Sequence, residues 1–176
     1  MITLGKKGAR AAATDRDIVD LLLDCHERIR SMTALALRLA EAEGLPEAEI
    51  VDAADRVRRY FGIALALHAR DEDESLVPRL RGKDPRLDAA LAEMSREHGE
   101  HDEPVARLVA ACDAVAERPA RLAEVAAALG AAARELERHF EGHLEREEKV
   151  IFPAIREHLS GDDLARMAEE LRARRS

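Results

Sequence analysis

Apolar residues recur at three- and four-residue intervals over four long stretches of the chain, the spacing that keeps one face of an α-helix buried. The first stretch carries Ile18, Leu22, Cys25, Ile29, Thr33, Ala36 and Ala40, with His26 beside Cys25 on the same face. Thr14 or Asp15 can cap its start, and Gly44-Leu45-Pro46 stops it after about Ala42. The second runs from Pro46 through Ile50, Ala54, Val57, Phe61 and Leu65, then passes without a break into His68 and Glu72. Two ionisable groups thus stand where leucine is expected, and burying them without a partner is costly.

Asp84 as N-cap and Pro85 at the first helical position open the third stretch, whose face reads Leu91, Met94, His98, His101, Val105, Leu108, Cys112 and Val115. Pro104 falls inside it and predicts a kink. The fourth opens at Pro119 and turns Leu122, Val125, Leu129, Ala132, Leu136, Phe140, His143, Glu147, Val150 and Ala154 inward. After Ser160-Gly161, a short amphipathic helix over 163–174 carries Leu164, Met167, Ala168 and Leu171, a face expected to pack on the bundle or on a second copy.

Helices of roughly 25 to 35 residues are about 40 to 50 Å long. Joined by short turns, they specify an all-α, up-down-up-down four-helix bundle with a short C-terminal amphipathic helix. The expected organisation is an N-terminal arm over 1–13, the bundle over 14–158 and the C-terminal helix over 159–176. Composition agrees: 47% of the residues are apolar, mostly Ala and Leu, with one Tyr, three Phe and no Trp. The formal charge of −8 opposes binding to nucleic acid or an anionic membrane. No apolar run is long enough to span a bilayer and residues 1–14 lack a signal-like centre, so a cytoplasmic protein, monomeric or weakly dimeric, is expected. Cys25 and Cys112 are too few for a disulfide framework and read as small buried side chains.

The chemistry lies in the histidines. Six of the seven, His26, His68, His98, His101, His139 and His143, fall on or beside inward faces of all four helices, whereas His158 is expected to face solvent. His68 and Glu72 are four residues apart, as are His143 and Glu147, and Pro78 and Pro153 follow ten residues after each His. Within each frame the imidazole and carboxylate project from one helix face a single turn apart, where one cation could meet both. The frames recur 75 residues apart, which suggests a pseudo-twofold site. In an antiparallel bundle the second and fourth helices run in the same sense, so Glu72 and Glu147 can each bridge two metals. The Glu-x-x-His motif of ferritin-like di-iron bundles is absent before every histidine.

At these residues the sequence resembles the hemerythrin-like, or HHE cation-binding, domain family. The likeness covers roughly residues 15–158 and rests on Asp24-Cys25-His26-Glu27, on His68-Ala-Arg-Asp-Glu72 with Pro78, on Glu97-His98, and on His143-Leu-Glu-Arg-Glu147 with Ile151-Phe152-Pro153. It implies two irons with an oxo or hydroxo bridge, His26, His68, His98 and His143 as terminal ligands, Glu72 and Glu147 as bridging ligands, and an open position for O2 or a related small ligand. The function implied is O2 storage, delivery or sensing; an enzyme acting on peroxide or nitric oxide, and an iron-responsive structural bundle, are the alternatives. Respiratory hemerythrins carry a second histidine four residues after the first on the third helix, where this chain has Asp102. His101 precedes His143 by 42 residues, the separation of His26 from His68, so either His98 or His101 can be the counterpart of His26. His139 is either an extra ligand or a hydrogen-bond donor behind the ligands. Phe61, Phe140, Leu65, Met94 and Leu22 are the expected apolar lining, and Tyr60, just off the stripe, is expected at the rim.

Overall fold

A computed structural model describes residues 17–175. The expected N-terminal arm and the caps proposed at Thr14 and Asp15 lie outside the described residues. Asp17 caps the first helix, α1 (Ile18–Ala40): its carboxylate accepts from the Asp20 N–H at 2.9 Å, while the Asp20 carboxylate accepts from the Asp17 N–H at 3.3 Å. Helix α2 is one rod over 47–80, in which the α-helical segments Glu47–Arg59, Leu65–Asp71 and Val77–Leu80 are separated by π turns at Tyr60–Ala64 and Glu72–Leu76. Helix α3 spans Pro85–Glu117, capped by Asp84 as expected, and remains helical through Pro104.

Helix α4 covers 119–158: a 3₁₀ turn Pro119–Arg121, an α-helix Leu122–Arg146, a π turn Glu147–Ile151 and a last segment Phe152–His158. Helix α5 is Gly161–Ala173, opened two residues earlier than the sequence suggests by a reciprocal Ser160/Asp163 box. No strand occurs among the described residues, and the chain is an all-α bundle.

The π turns correct the sequence reading at one position. Val77 N–H bonds back to the Glu72 carbonyl and Phe152 N–H to that of Glu147, five residues away in each case. Pro78 and Pro153 follow directly; a proline ring crowds the carbonyl four residues back and offers no N–H, and the wider turn accommodates both defects. One extra residue per turn rotates what comes after it. Val150, expected inside, is therefore 41% exposed, and Ile151 is fully buried in its place.

Contacts fix the relative directions. Arg156 of α4 pairs with Asp17 at the start of α1, and Gly130 of α4 lies under Ala40 at its end, so α1 and α4 are antiparallel. Arg58 meets Asp113 while Asp73 meets Ser95, which makes α2 and α3 antiparallel. Arg107–Glu135 and Arg146–Glu97 do the same for α3 and α4.

The interior is divided. One apolar cluster, including Ile29, Phe61, Leu65, Leu108, Leu136 and Phe140, fills the half nearest the α1–α2 turn. A second, including Leu22, Leu76, Met94, Ile151, Phe152 and Met167, fills the other half and is completed by α5, which packs on the bundle rather than standing free. Each long helix crosses between these clusters at a histidine or a glutamate, so two hydrocarbon cores enclose one polar layer.

Helix α5 is also tied down by charge. Asp71, buried beside Glu72, accepts from Arg174 at 2.8 Å and Arg175 at 2.5 Å, while Ser75 and Arg79 bond Glu170. No helix among the described residues is long and apolar enough to cross a membrane.

Candidate metal centre

Six of the eight expected donors meet in the polar layer. They form two groups, His26, His68, Glu72 and Glu147, and Glu72, His98, His143 and Glu147, with the donor atoms of each group within 4.8 Å of one another. The two glutamates belong to both. Glu147 turns Oε2 toward His26 Nε2 at 2.8 Å and Oε1 toward His143 Nε2 at 2.9 Å. Glu72 turns Oε1 toward His68 Nε2 at 3.6 Å and Oε2 toward His98 Nε2 at 3.3 Å. Each carboxylate therefore presents one oxygen to each imidazole pair.

His101 and His139 lie outside both groups. Each is one helical turn, about 5 Å along the axis, from a member of the cluster, on the side of the Phe61–Phe140 core. His101 is buried and its ring packs against His143, His139 and Phe140 at centroid distances of 4.9, 5.8 and 4.7 Å. His98, not His101, is thus the counterpart of His26 in the layer. His158 ends α4 half-buried and apart from the layer, and Cys25 is half-buried where full burial was expected. Tyr60 is half-buried and donates its hydroxyl to the Cys25 carbonyl at 3.1 Å.

The donors fit a cation better than they fit one another. Eight buried side-chain atoms among the described residues have no hydrogen-bond partner: His26 Nε2, both nitrogens of His68, His98 Nε2 and all four oxygens of Glu72 and Glu147. Several of these atoms approach within about 3 Å yet are misaligned for hydrogen bonding, as groups converging on a shared centre must be. Buried polar atoms without partners are rare in folded proteins because desolvating them is expensive. Imidazole nitrogens and carboxylate oxygens are the donor set of divalent first-row metals.

Electrostatics in the metal-free layer follow from the same geometry. Burial alone would depress the imidazoles, but Glu147 and Glu72 outweigh it and raise the pKa of His26 and His143. Asp73 and Glu72 likewise overcome burial at His98 and push it up to about 10. Burial wins at His68, which is lowered, and at His101, pushed down to about 3 with help from His143, His98 and His139. Burial would raise Glu147, yet His143 and His26 hold it well below the usual carboxylate range.

A family model for the hemerythrin HHE cation-binding domain matches residues 17–155, and again 103–174. The chain belongs to the hemerythrin HHE family. Among curated proteins none matches it. The family match and the two His/Glu groups together make this a metal-binding hemerythrin-like protein.

Three residues of this hemerythrin-like site are not evident from the helical pattern. Glu148 Oε1 lies 2.8 Å from His26 Nδ1, Asp73 Oδ2 2.9 Å from His98 Nδ1, and Glu97 Oε2 2.8 Å from His143 Nδ1. Each stands next in sequence to a residue of the cluster, Glu147, Glu72 and His98. Adjacency to two acids and a histidine is the signal the sequence carries for Glu148, Asp73 and Glu97, and Glu97 also stands in the Glu97-His98 pair on which the family resemblance rests.

A cavity of about 70 Å³ adjoins the layer, walled by Phe61, Leu65 and Phe140 with His68, His101 and His143. The exposed Ala66 and Asp102 stand at its edge between α2 and α3. Met94 and Leu22, also expected in this lining, belong to the opposite core.

Proposed function

We propose that this protein holds a pair of iron ions in its polar layer and binds O2 or a related small ligand there, as a store, carrier or sensor. The observation that supports this most is the sharing of Glu72 and Glu147 by two donor groups, one oxygen of each carboxylate facing each imidazole pair. In this reading His26 and His68 are terminal ligands to one ion, His98 and His143 to the other, and the two glutamates bridge. His101 and His139 have no ligand role. A ferrous pair, when bound, supplies the two electrons that reversible O2 binding draws on.

The chain's own residues do the rest. Glu148, Asp73 and Glu97 accept from Nδ1–H, which directs the Nε2 lone pairs of three histidines into the layer. Phe61, Leu65 and Phe140 give the cavity an apolar wall, which limits proton access to a bound ligand. Two imidazoles and two carboxylate oxygens for each ion would leave room for that ligand beside the protein donors. Asp102, exposed at the cavity edge, fills the place of the additional histidine of respiratory hemerythrins and contributes no donor to either group.

One observation favours turnover of peroxide or nitric oxide instead. His101 places a neutral imidazole in the cavity wall, where it can hydrogen-bond a ligand. Anaerobic reconstitution with ferrous iron followed by air, watched by absorbance, separates the readings. A visible band that appears with O2 and disappears on its removal supports the carrier or sensor. Sustained consumption of added peroxide or nitric oxide supports the enzyme, and a site inert to all three contradicts both.

A further inference from the structure

The four imidazoles of the layer differ in what holds their second nitrogen. Glu148, which meets His26 Nδ1, is itself held by Arg30 at 2.8 Å. Asp73, which meets His98 Nδ1, accepts from the Ser95 hydroxyl at 2.5 Å. Glu97, which meets His143 Nδ1, is held by Arg146 at 2.5 Å. His68 is the exception: it is buried, and neither of its nitrogens has a hydrogen-bond partner among the described residues.

The pseudo-twofold relation of the site explains the exception. Exchanging α1 with α3 and α2 with α4 carries His26 onto His98, Glu72 onto Glu147, Asp73 onto Glu148 and His68 onto His143. The residue before His98 is Glu97, which braces His143; the residue before His26 is Cys25. By this correspondence a cysteine takes the sequence position at which the other half carries its bracing carboxylate.

A carboxylate on Nδ1–H fixes the tautomer, holds the ring in its ligating orientation and increases the basicity of Nε2. His68 has none of this help. A neutral imidazole carries one N–H, so when Nε2 faces a cation, Nδ1–H of His68 is left buried without an acceptor. Among the described residues the His98–His143 side has two bracing carboxylates, Asp73 and Glu97, where the His26–His68 side has Glu148.

We propose that the two metal positions are unequal: the His98–His143 position fills first and retains its ion, and the His26–His68 position fills second and empties first. Asp73, Glu97 and Glu148 are the positioning residues that set this order. The inference rests on the two-metal reading above.

Titration of the metal-free chain with Co2+ against a competing chelator, followed by cobalt absorbance, tests it. The expected result is two steps whose affinities differ by about 10–100-fold, the usual effect of such outer partners, beyond the statistical ratio of two identical sites. His143→Ala removes the tight step, whereas His68→Ala removes only the weak one. Glu97→Gln weakens the tight step by about 10-fold or more and Glu97→Asp restores it, with helical content by circular dichroism unchanged in both. Two ions binding in one unresolved step, or loss of the tight step in His68→Ala with its survival in His143→Ala, overturns the order and leaves the two-metal reading standing. Failure of Co2+ to bind the wild-type chain at all overturns both.

Discussion

Replacing Glu147 by glutamine exchanges one carboxylate oxygen for an amide and removes a negative charge at a fully buried position that faces two imidazoles at 2.8 and 2.9 Å. In the metal-free protein the cost is electrostatic, and its pH window follows from the shifts. His26 and His143 are raised, so their contribution is fully present below the unfolded imidazole value of about 6.5 and is lost as the pH climbs through their folded values. Glu147 is lowered, so its contribution is present above the unfolded carboxylate value of about 4.3 and is lost as the pH falls through its folded value. All three are at full strength near pH about 5.5. Stripping a buried charge of its partner costs about 3–5 kcal/mol. At roughly 2–4 °C per kcal/mol for a chain of this size, Tm should fall by about 6–20 °C. Calorimetry of metal-free wild type and Glu147→Gln at that pH measures it. A fall of under about 2 °C, below the smallest shift that such a loss gives, or a deficit that does not shrink as the pH rises, refutes the view that this carboxylate holds the layer together.

Other consequences are open to measurement. Metal binding near pH about 8, between the ordinary imidazole value and the raised one, should release protons into a weakly buffered indicator solution, because His98 stays protonated up to about 10 without metal; no release contradicts its place as a ligand. By the same linkage, metal affinity should keep rising with pH until His98 has lost its proton, and iron should dissociate on acidification. Chelation should lower Tm, since an ion that binds only the folded chain contributes about 2.7 kcal/mol at a hundred times its Kd; a Tm indifferent to chelation contradicts a bound metal. Arg174→Gln combined with Arg175→Gln leaves buried Asp71 without its cations and should cost about 3 kcal/mol in urea unfolding. A loss under about 1 kcal/mol, the value of an exposed pair, would show that solvent screens the cluster.

The bundle and the six converging donors were legible because both rest on helical periodicity. A stripe that runs from Leu65 through His68 to Glu72, and from Phe140 through His143 to Glu147, places ionisable groups on a buried face whatever the neighbouring helices do. The depth of each donor along the rods was less visible. His98 and His101 share the α3 face, and only the axial offset of one turn, set by how α3 slides against α2 and α4, puts one in the layer and the other above it.

Periodicity also assumes a constant 3.6 residues per turn. The π turn at 147–151 breaks that assumption and exchanges Val150 for Ile151. Asp73, Glu97 and Glu148 escape for another reason: neighbours on a helix point about 100° apart, so an acid beside an inward residue reads as solvent-facing until the adjacent helix brings an imidazole to it. The Asp71–Arg174 pairing depends on where α5 docks, which no local pattern specifies.

The most direct test of the central claim is diffraction at the iron absorption edge from crystals of anaerobically reconstituted protein. Two anomalous peaks are expected in the layer between the two cores, one at the Nε2 atoms of His26 and His68, the other at those of His98 and His143, with Glu72 and Glu147 reaching both. One peak, none, or iron bound away from these residues would contradict the account.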